Sequence, residues 1–154
     1  MASNLRKKIP ASSTLRVLDL DQTIIQRLIN EYGSYGKIEA ASSAKDLLTK
    51  VGAGVVLSSL PAGPHVRKVY LDPENGVIVA TRNQERLIIE CSTIEIEFTQ
   101  ELGKTIIDAG LGHFVDATVS GGMWGANAGT LSFMIGHPEP TEGDKVGKRI
   151  YDSL

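Results

Sequence analysis

The sequence holds a single cysteine, Cys91, among its 154 residues, so no disulfide can form within the chain. That usage suits a reducing compartment. No apolar run approaches the ~20 residues that a membrane-spanning helix requires. Neither sign of charge dominates, with 16 lysines and arginines against 18 acids and a net charge of −2. So even a balance removes the electrostatic reason to expect nucleic acid or an anionic membrane as a partner. The start, Met1 to Lys8, is basic but lacks the apolar stretch of a secretory signal. The cytoplasm is the expected location, with the mitochondrion as the alternative if a longer N-terminus exists. Internal repeats and low-complexity segments are missing, and no metal site is expected.

What remains is one domain's worth of ordinary globular chain, long enough to bury a core. Apolar runs alternate with amphipathic segments along its whole length. Leu15 to Leu20 reads as a strand ending in acid. Ile24, Ile25, Leu28, Ile29 and Tyr32 then recur at helical spacing, with Gly33 to close the helix. Ser43 and Asp46 have capping-box spacing ahead of Leu47, Leu48 and Val51. Val55 to Leu60 is a buried-type strand stopped by Pro61, and Pro64 suits the first turn of the next helix. Residues 72–85 read as loop. Leu87-Ile88-Ile89 is the next strand. Ser92 and Glu95 can cap a helix carrying Phe98, Leu102 and Ile106, ended by Gly110. Parallel strands near 114–119 and 131–135 follow, and Thr141 can cap a last helix bearing Val146, Ile150 and Leu154. The pattern predicts an α/β fold, a doubly wound and mainly parallel sheet with helices on both faces.

Such sheets bind ligands beyond the carboxyl ends of their strands. Four polar or Gly/Pro-rich turns fall there: Asp19–Asp21, Leu60–His65, Ser92–Thr93 and Ser120–Gly122. Asp19 at a strand end is either a hydrogen-bond acceptor for ribose hydroxyls or, like Asp21, a helix cap. His65 is placed as a solvated helix-start residue, with nothing nearby in sequence to orient it as a base. Thr93 and Ser92 are natural caps. Ser120-Gly121-Gly122 is a turn of nearly bare backbone, whose N–H groups and hydroxyl suit a small carboxylate. Trp124, the only tryptophan, is expected to pack beside the sheet, with a place in the pocket wall as the alternative.

Three of these segments, Leu60-Pro61-Ala62-Gly63-Pro64-His65, Cys91-Ser92-Thr93-Ile94 and Asp116-Ala117-Thr118-Val119-Ser120-Gly121-Gly122, together resemble the β-hydroxyacid dehydrogenase family. The likeness is to its 3-hydroxyisobutyrate dehydrogenase-like branch, whose NAD(P)-binding domain is of the 6-phosphogluconate dehydrogenase type. The resemblance implies a Rossmann-like domain that binds NAD, with NADP as the alternative. It assigns Asp19, Leu60, Pro61, His65 and Thr93 to the cofactor. It assigns Ser120, Gly121 and Gly122 to the carboxylate of a small hydroxyacid. His65 stands where such proteins carry an Asn, Glu90 where they carry an Asp, and Thr118 where they carry a Pro.

Two features of that family are missing from these 154 residues. One is the first strand with its Gly-x-Gly-x-x-Gly turn, whose N–H groups bind the pyrophosphate. The other is the following helical domain, which supplies the catalytic lysine and most of the dimer interface. No lysine here lies in a matching context, so no catalytic residue is assigned, and a homo-oligomer is expected only with that domain present. The expectation is a single partial NAD(P)-binding domain over 1–154, the nucleotide-binding part of an NAD(P)-dependent 3-hydroxyacid dehydrogenase acting on a CH–OH group and inactive alone. A catalytically dead Rossmann-like interaction module is the alternative. Loss of the first strand must either re-pair the sheet or leave two exposed edges.

Overall fold

The computed structural model describes all residues from Met1 to Leu154. In chain order the elements are α1 (Ala2–Lys8), β1 (Leu15–Val17), α2 (Gln22–Tyr32), β2 (Ile38–Ala40), α3 (Ala44–Val51) and β3 (Val55–Ser58). Then come α4 (Gly63–Leu71), β4 (Leu87–Glu90), α5 (Ile96–Asp108), β5 (His113–Ser120), α6 (Gly122–Ala128), β6 (Ser132–Ile135) and α7 (Lys145–Ser153). Two short 3-10 turns, Gly33–Tyr35 and Val77–Val79, complete the regular structure.

The helices begin where local chemistry satisfies their first N–H groups. Asp21 accepts the N–H of Thr23 at 2.8 Å to open α2, and the Thr23 hydroxyl, donating to the same oxygen, holds the Asp21 carboxyl below its ordinary range. Ser43 accepts the N–H of Asp46 (3.0 Å) to open α3, and Asp46 reaches back to the N–H of Ser42 (3.1 Å). Pro64 sits in the first turn of α4, where its missing N–H costs nothing.

The predicted α/β class holds, but the sheet is divided. β1 pairs only with β2, in parallel, while β3, β4, β5 and β6 form a second sheet in that order. β3 and β4 are adjacent and parallel as expected, and β5 continues the parallel run. The centre of this sheet is β4, all four of whose residues are buried, which is why Leu87-Ile88-Ile89 has no polar alternation. One core cluster, with Leu48, Val56, Val66, Tyr70, Ile88, Leu102 and Ile106, covers one face. The other face packs Leu87, Ile89, Val115 and Ala117 against Ile150 of α7. Each buried Val, Leu or Ile among them contributes about 1.5–3 kcal/mol by leaving water.

Several expectations need correction. β6 runs antiparallel to β5, in register Ala117 with Ile135 and Ser120 with Ser132, instead of parallel. Strand β2 was not expected, and β1 stops at Val17, short of Leu20. The connection after Ser120 contains helix α6, whose last carbonyls are capped from outside by the Asn4 side chain, donating to Ala126 (2.8 Å) and Asn127 (3.1 Å). α7 is capped by Asp144, which accepts the N–H of Gly147, and not by Thr141. Trp124 does not pack beside the sheet, since 87% of it is exposed.

Cys91 closes β4 inside the core. Burial, with the neighbouring Glu90 carboxylate adding to it, pushes its thiol up to about 12. The unfolded thiol ionises near ~8.5. Its contribution to stability is therefore fully present below that pH and is lost as pH rises toward the folded value. At pH 8 a thiol reagent should label Cys91 only as fast as the chain unfolds. Rapid stoichiometric labelling of the folded chain would contradict this burial.

Candidate functional site

The register of the four-stranded sheet decides what lies beside what. Ser58 at the end of β3 is opposite Glu90 at the end of β4, and Glu90 is opposite Asp116 on β5. The turns Leu60–Pro61 and Ser92–Thr93 therefore leave adjacent strands at the same edge. β5 runs four residues further, carried by its antiparallel ladder with β6, and delivers Ser120 beyond them.

These turns are tied together by buried polar groups. Glu90 is only 1% exposed, and one of its oxygens accepts the Ser58 hydroxyl at 2.5 Å. The other accepts the N–H of Ser92 at 2.8 Å, and the Ser92 hydroxyl accepts the N–H of Leu60 at 2.8 Å. The Tyr70 hydroxyl lies 2.6 Å from Ser58 Oγ, and since Ser58 donates to Glu90, Tyr70 donates to Ser58. Burial first, and the Glu90 carboxylate second, raise the Tyr70 phenol well above its usual value, so it stays a donor. Ser92 is consequently not a helix cap: α5 starts later, at Ile96, with no side-chain cap. The Ser92 oxygen that would have capped it fixes the Leu60–Pro61 turn instead.

This network was not read from the sequence. Its one visible signal is an acid ending an otherwise apolar strand, with Ser58 in the matching position of β3. Glu90→Ala leaves the Ser92 N–H without its acceptor in the core and the Ser58 hydroxyl without its short bond, with only a long contact to the Ile89 carbonyl (3.5 Å) beside Tyr70. An orphaned donor costs about 1–3 kcal/mol. The variant's urea midpoint should fall accordingly, whereas an unchanged midpoint would show that the network holds nothing.

Leu60 is half-buried and Pro61 exposed. His65 lies in the first turn of α4, exposed, and its N–H goes to the Ala62 carbonyl (3.0 Å). Thr93 is exposed in the loop before α5. Ser120, Gly121 and Gly122 are all exposed at the end of β5. Gly121 (φ 127°) and Gly122 (φ 58°) both occupy the left-handed half of backbone space, which side chains disfavour, so this turn requires its glycines. The Thr118 that stands in place of a proline is part of the β5–β6 ladder. Gly136 N–H donates to Asp116 O at 2.8 Å, and ladder alternation makes Thr118 and Met134 the next hydrogen-bonded pair. The ladder, rather than a ring, sets the backbone there.

Asp19 is placed differently, because it follows β1 in the separate two-stranded sheet. Its carboxylate accepts the N–H of Asp21 at 2.9 Å, a local turn, and it is exposed. Asp21 is the helix cap of the pair, which leaves the second Asp19 oxygen facing solvent.

With this geometry in view, the comparisons with known proteins agree. Residues 1–144 match the family described as the NAD binding domain of 6-phosphogluconate dehydrogenase. A 3-hydroxyisobutyrate dehydrogenase of Pseudomonas aeruginosa is 38% identical over 138 residues, which are 90% of this chain and 42% of that protein. An NAD-dependent L-serine dehydrogenase of the same organism is 40% identical over 136 residues, 88% of this chain and 41% of the other. Among solved structures, Mycobacterium tuberculosis 3-hydroxyisobutyrate dehydrogenase with L-serine superposes with a TM-score of 0.69 at 28% identity, covering 97% of this chain and 45% of that one. The chain thus spans less than half the length of the relatives it matches. By fold, by the turns at its sheet edge and by these matches, the chain belongs to the family of the NAD binding domain of 6-phosphogluconate dehydrogenase.

Proposed function

We propose that these residues form the cofactor and substrate-carboxylate side of an NAD-dependent 3-hydroxyacid dehydrogenase, which oxidises a CH–OH group. The observation that carries this reading is the alignment of Leu60–Pro61, Ser92–Thr93 and Ser120–Gly122 on one sheet edge, with the first two locked together through Glu90. In this reading residues 1–154 are one partial NAD(P)-binding domain, and the proton-transferring lysine comes from a helical domain outside them. Both Pseudomonas aeruginosa relatives are named for substrates that carry a hydroxyl on the carbon next but one to a carboxylate. The substrate class is a short acid of that kind.

The donors and acceptors present fit such ligands. Asp19 offers a free carboxylate oxygen to ribose hydroxyls and repels a 2′-phosphate, favouring NAD over NADP. Leu60 and Pro61 run their backbone along the cofactor, with His65 beside it, and Thr93 faces the nicotinamide end. The nicotinamide supplies a hydride acceptor when bound. The Ser120 hydroxyl and the bare backbone of Gly121 and Gly122 hold the substrate carboxylate, orienting the hydroxyl-bearing carbon toward the cofactor.

A chimera tests these roles: the matched segment of the Pseudomonas aeruginosa 3-hydroxyisobutyrate dehydrogenase is replaced by this chain's. In it, Ser120→Ala removes a hydrogen bond to a charged group, about 1.5–3 kcal/mol, and should lower kcat/KM for the acid some tenfold to a hundredfold. NADH affinity should stay unchanged. Asp19→Ser should move the NAD:NADP preference by about tenfold toward NADP, as expected from removing one charge near a phosphate. Weakened NADH binding in Ser120→Ala with intact substrate kinetics would place Ser120 in the wrong site. An unmoved preference in Asp19→Ser would remove Asp19 from the ribose.

A further inference from the structure

We propose that Ser92 is a positioning residue for the cofactor: its hydroxyl holds the Leu60–Pro61 turn at the spacing from Thr93 that the nicotinamide end requires, and Glu90 aims it. The role rests on the cofactor reading above and requires no contact between Ser92 and the cofactor. The bonding pattern singles this residue out. The backbone ladder holds β3 and β4 together only as far as their ends, where Cys91 N–H donates to Ser58 O at 2.7 Å. Past that point no backbone bond joins residues 59–62 to residues 92–95. The bond from Leu60 N–H to Ser92 Oγ, 2.8 Å, is the one hydrogen bond that crosses between the two turns. Adjacent strands twist relative to one another, so their unbonded continuations diverge.

Burial lets that bond hold a position. Ser92 is 5% exposed and Glu90 1%, so water competes little for either. Glu90 fixes the Ser92 backbone by accepting its N–H, and Ser58 and Tyr70 fix Glu90 in turn. This chain of bonds has a near end and a far end. Ser92 acts on the Leu60 turn directly, whereas Tyr70 stands at the far end, on α4. Loss at either end leaves a buried group short of a partner and costs stability. Only loss at the near end frees Leu60. That difference separates positioning from simple support of the fold. A misplacement of about 1 Å can cost about 10²-fold in rate, so a turn that lies along the cofactor is where one hydrogen bond bears on function.

The first readout needs no cofactor: amide exchange followed by NMR on the full 154-residue chain. Leu60 N–H should be protected in the wild type. Ser92→Ala should speed its exchange at least about tenfold, and Tyr70→Phe should leave it slow. The second readout uses the Pseudomonas aeruginosa chimera described above. There Ser92→Ala should weaken NADH binding, followed by fluorescence, and raise the KM for NAD. Both should change about three- to tenfold, the loss expected of one hydrogen bond. The KM for the acid should stay within about twofold. Ser92→Thr keeps the hydroxyl and should restore both values. Tyr70→Phe should lower the urea midpoint but leave the KM for NAD unchanged. If Ser92→Ala does not fold, Ser92→Cys replaces it, because a thiol is a weak acceptor. Unchanged Leu60 exchange in Ser92→Ala, unchanged NADH affinity, or an equal KM shift in Tyr70→Phe would each overturn the proposal. A wild-type chimera that binds NADH yet leaves the acid unoxidised overturns the proposed function instead, and Leu60 exchange with NADH affinity still decides the role of Ser92. A chimera that folds but does not bind NADH overturns both.

Discussion

Arg86→Ala should cost about 4 kcal/mol or more, a large share of the 5–15 kcal/mol by which a domain of this size is stable. Arg86 is 1% exposed, yet no carboxylate pairs with it. Its guanidinium donates to the carbonyls of Leu48 (2.9 Å), Gly52 (3.1 Å), Thr81 (3.2 Å) and Leu111 (2.8 Å). These carbonyls come from the end of α3, the loop after the second 3-10 turn and the segment entering β5, all at the sheet end opposite the candidate site. Burial lowers the Arg86 pKa, but from a starting value so high that the group stays charged. Removing it strands four carbonyls, each worth about 1–3 kcal/mol if water does not reach it. Arg86→Lys keeps the charge but cannot fork to four acceptors, and should lose roughly half as much. Urea unfolding followed by circular dichroism measures both. A loss below about 1 kcal/mol for Arg86→Ala would mean that water replaces the guanidinium at no cost.

The second large effect concerns catalysis. The 154-residue polypeptide on its own should give no measurable dehydrogenase turnover and should bind NADH poorly. It contains no Gly-x-Gly-x-x-Gly turn, so two phosphate charges lack the aligned N–H donors that such a turn provides. It has no lysine in the family's context, and loss of a positioned proton-transfer group alone costs typically 10²–10⁴-fold in rate. These deficits act at binding and at chemistry, so neither compensates for the other. Titration with NADH, then assays with 3-hydroxyisobutyrate and L-serine, provide the check. Tight NADH binding with steady turnover would contradict it.

Much of the fold was legible because local signals and tertiary packing agree in it. Ser43 and Asp46 cap α3, Pro64 opens α4, and the apolar runs at 55–58 and 87–90 form adjacent parallel strands. What was illegible depends on distant partners. Ile38-Glu39-Ala40 is too short to show a period, and it is a strand because Leu15–Val17 lies beside it. Gly122–Ala128 holds two glycines and no apolar stripe, and Asn4 from α1 finishes that helix. Arg6 and Arg86 read as surface residues in any pattern, yet both are buried on backbone carbonyls. At the candidate site the positions of Leu60 and Thr93 after their strands, and of Ser120 at the end of its own, were readable. The Glu90 network was not, since which acid a hydroxyl meets depends on sheet register.

The most direct measurement of the proposed function is the steady-state oxidation of 3-hydroxyisobutyrate by the Pseudomonas aeruginosa chimera, with NAD and NADP compared side by side. If this chain's turns hold the cofactor and the carboxylate as proposed, the chimera turns over the acid with NAD preferred. A chimera that folds and binds NADH but does not oxidise the acid, or that prefers NADP with Asp19 intact, would contradict it.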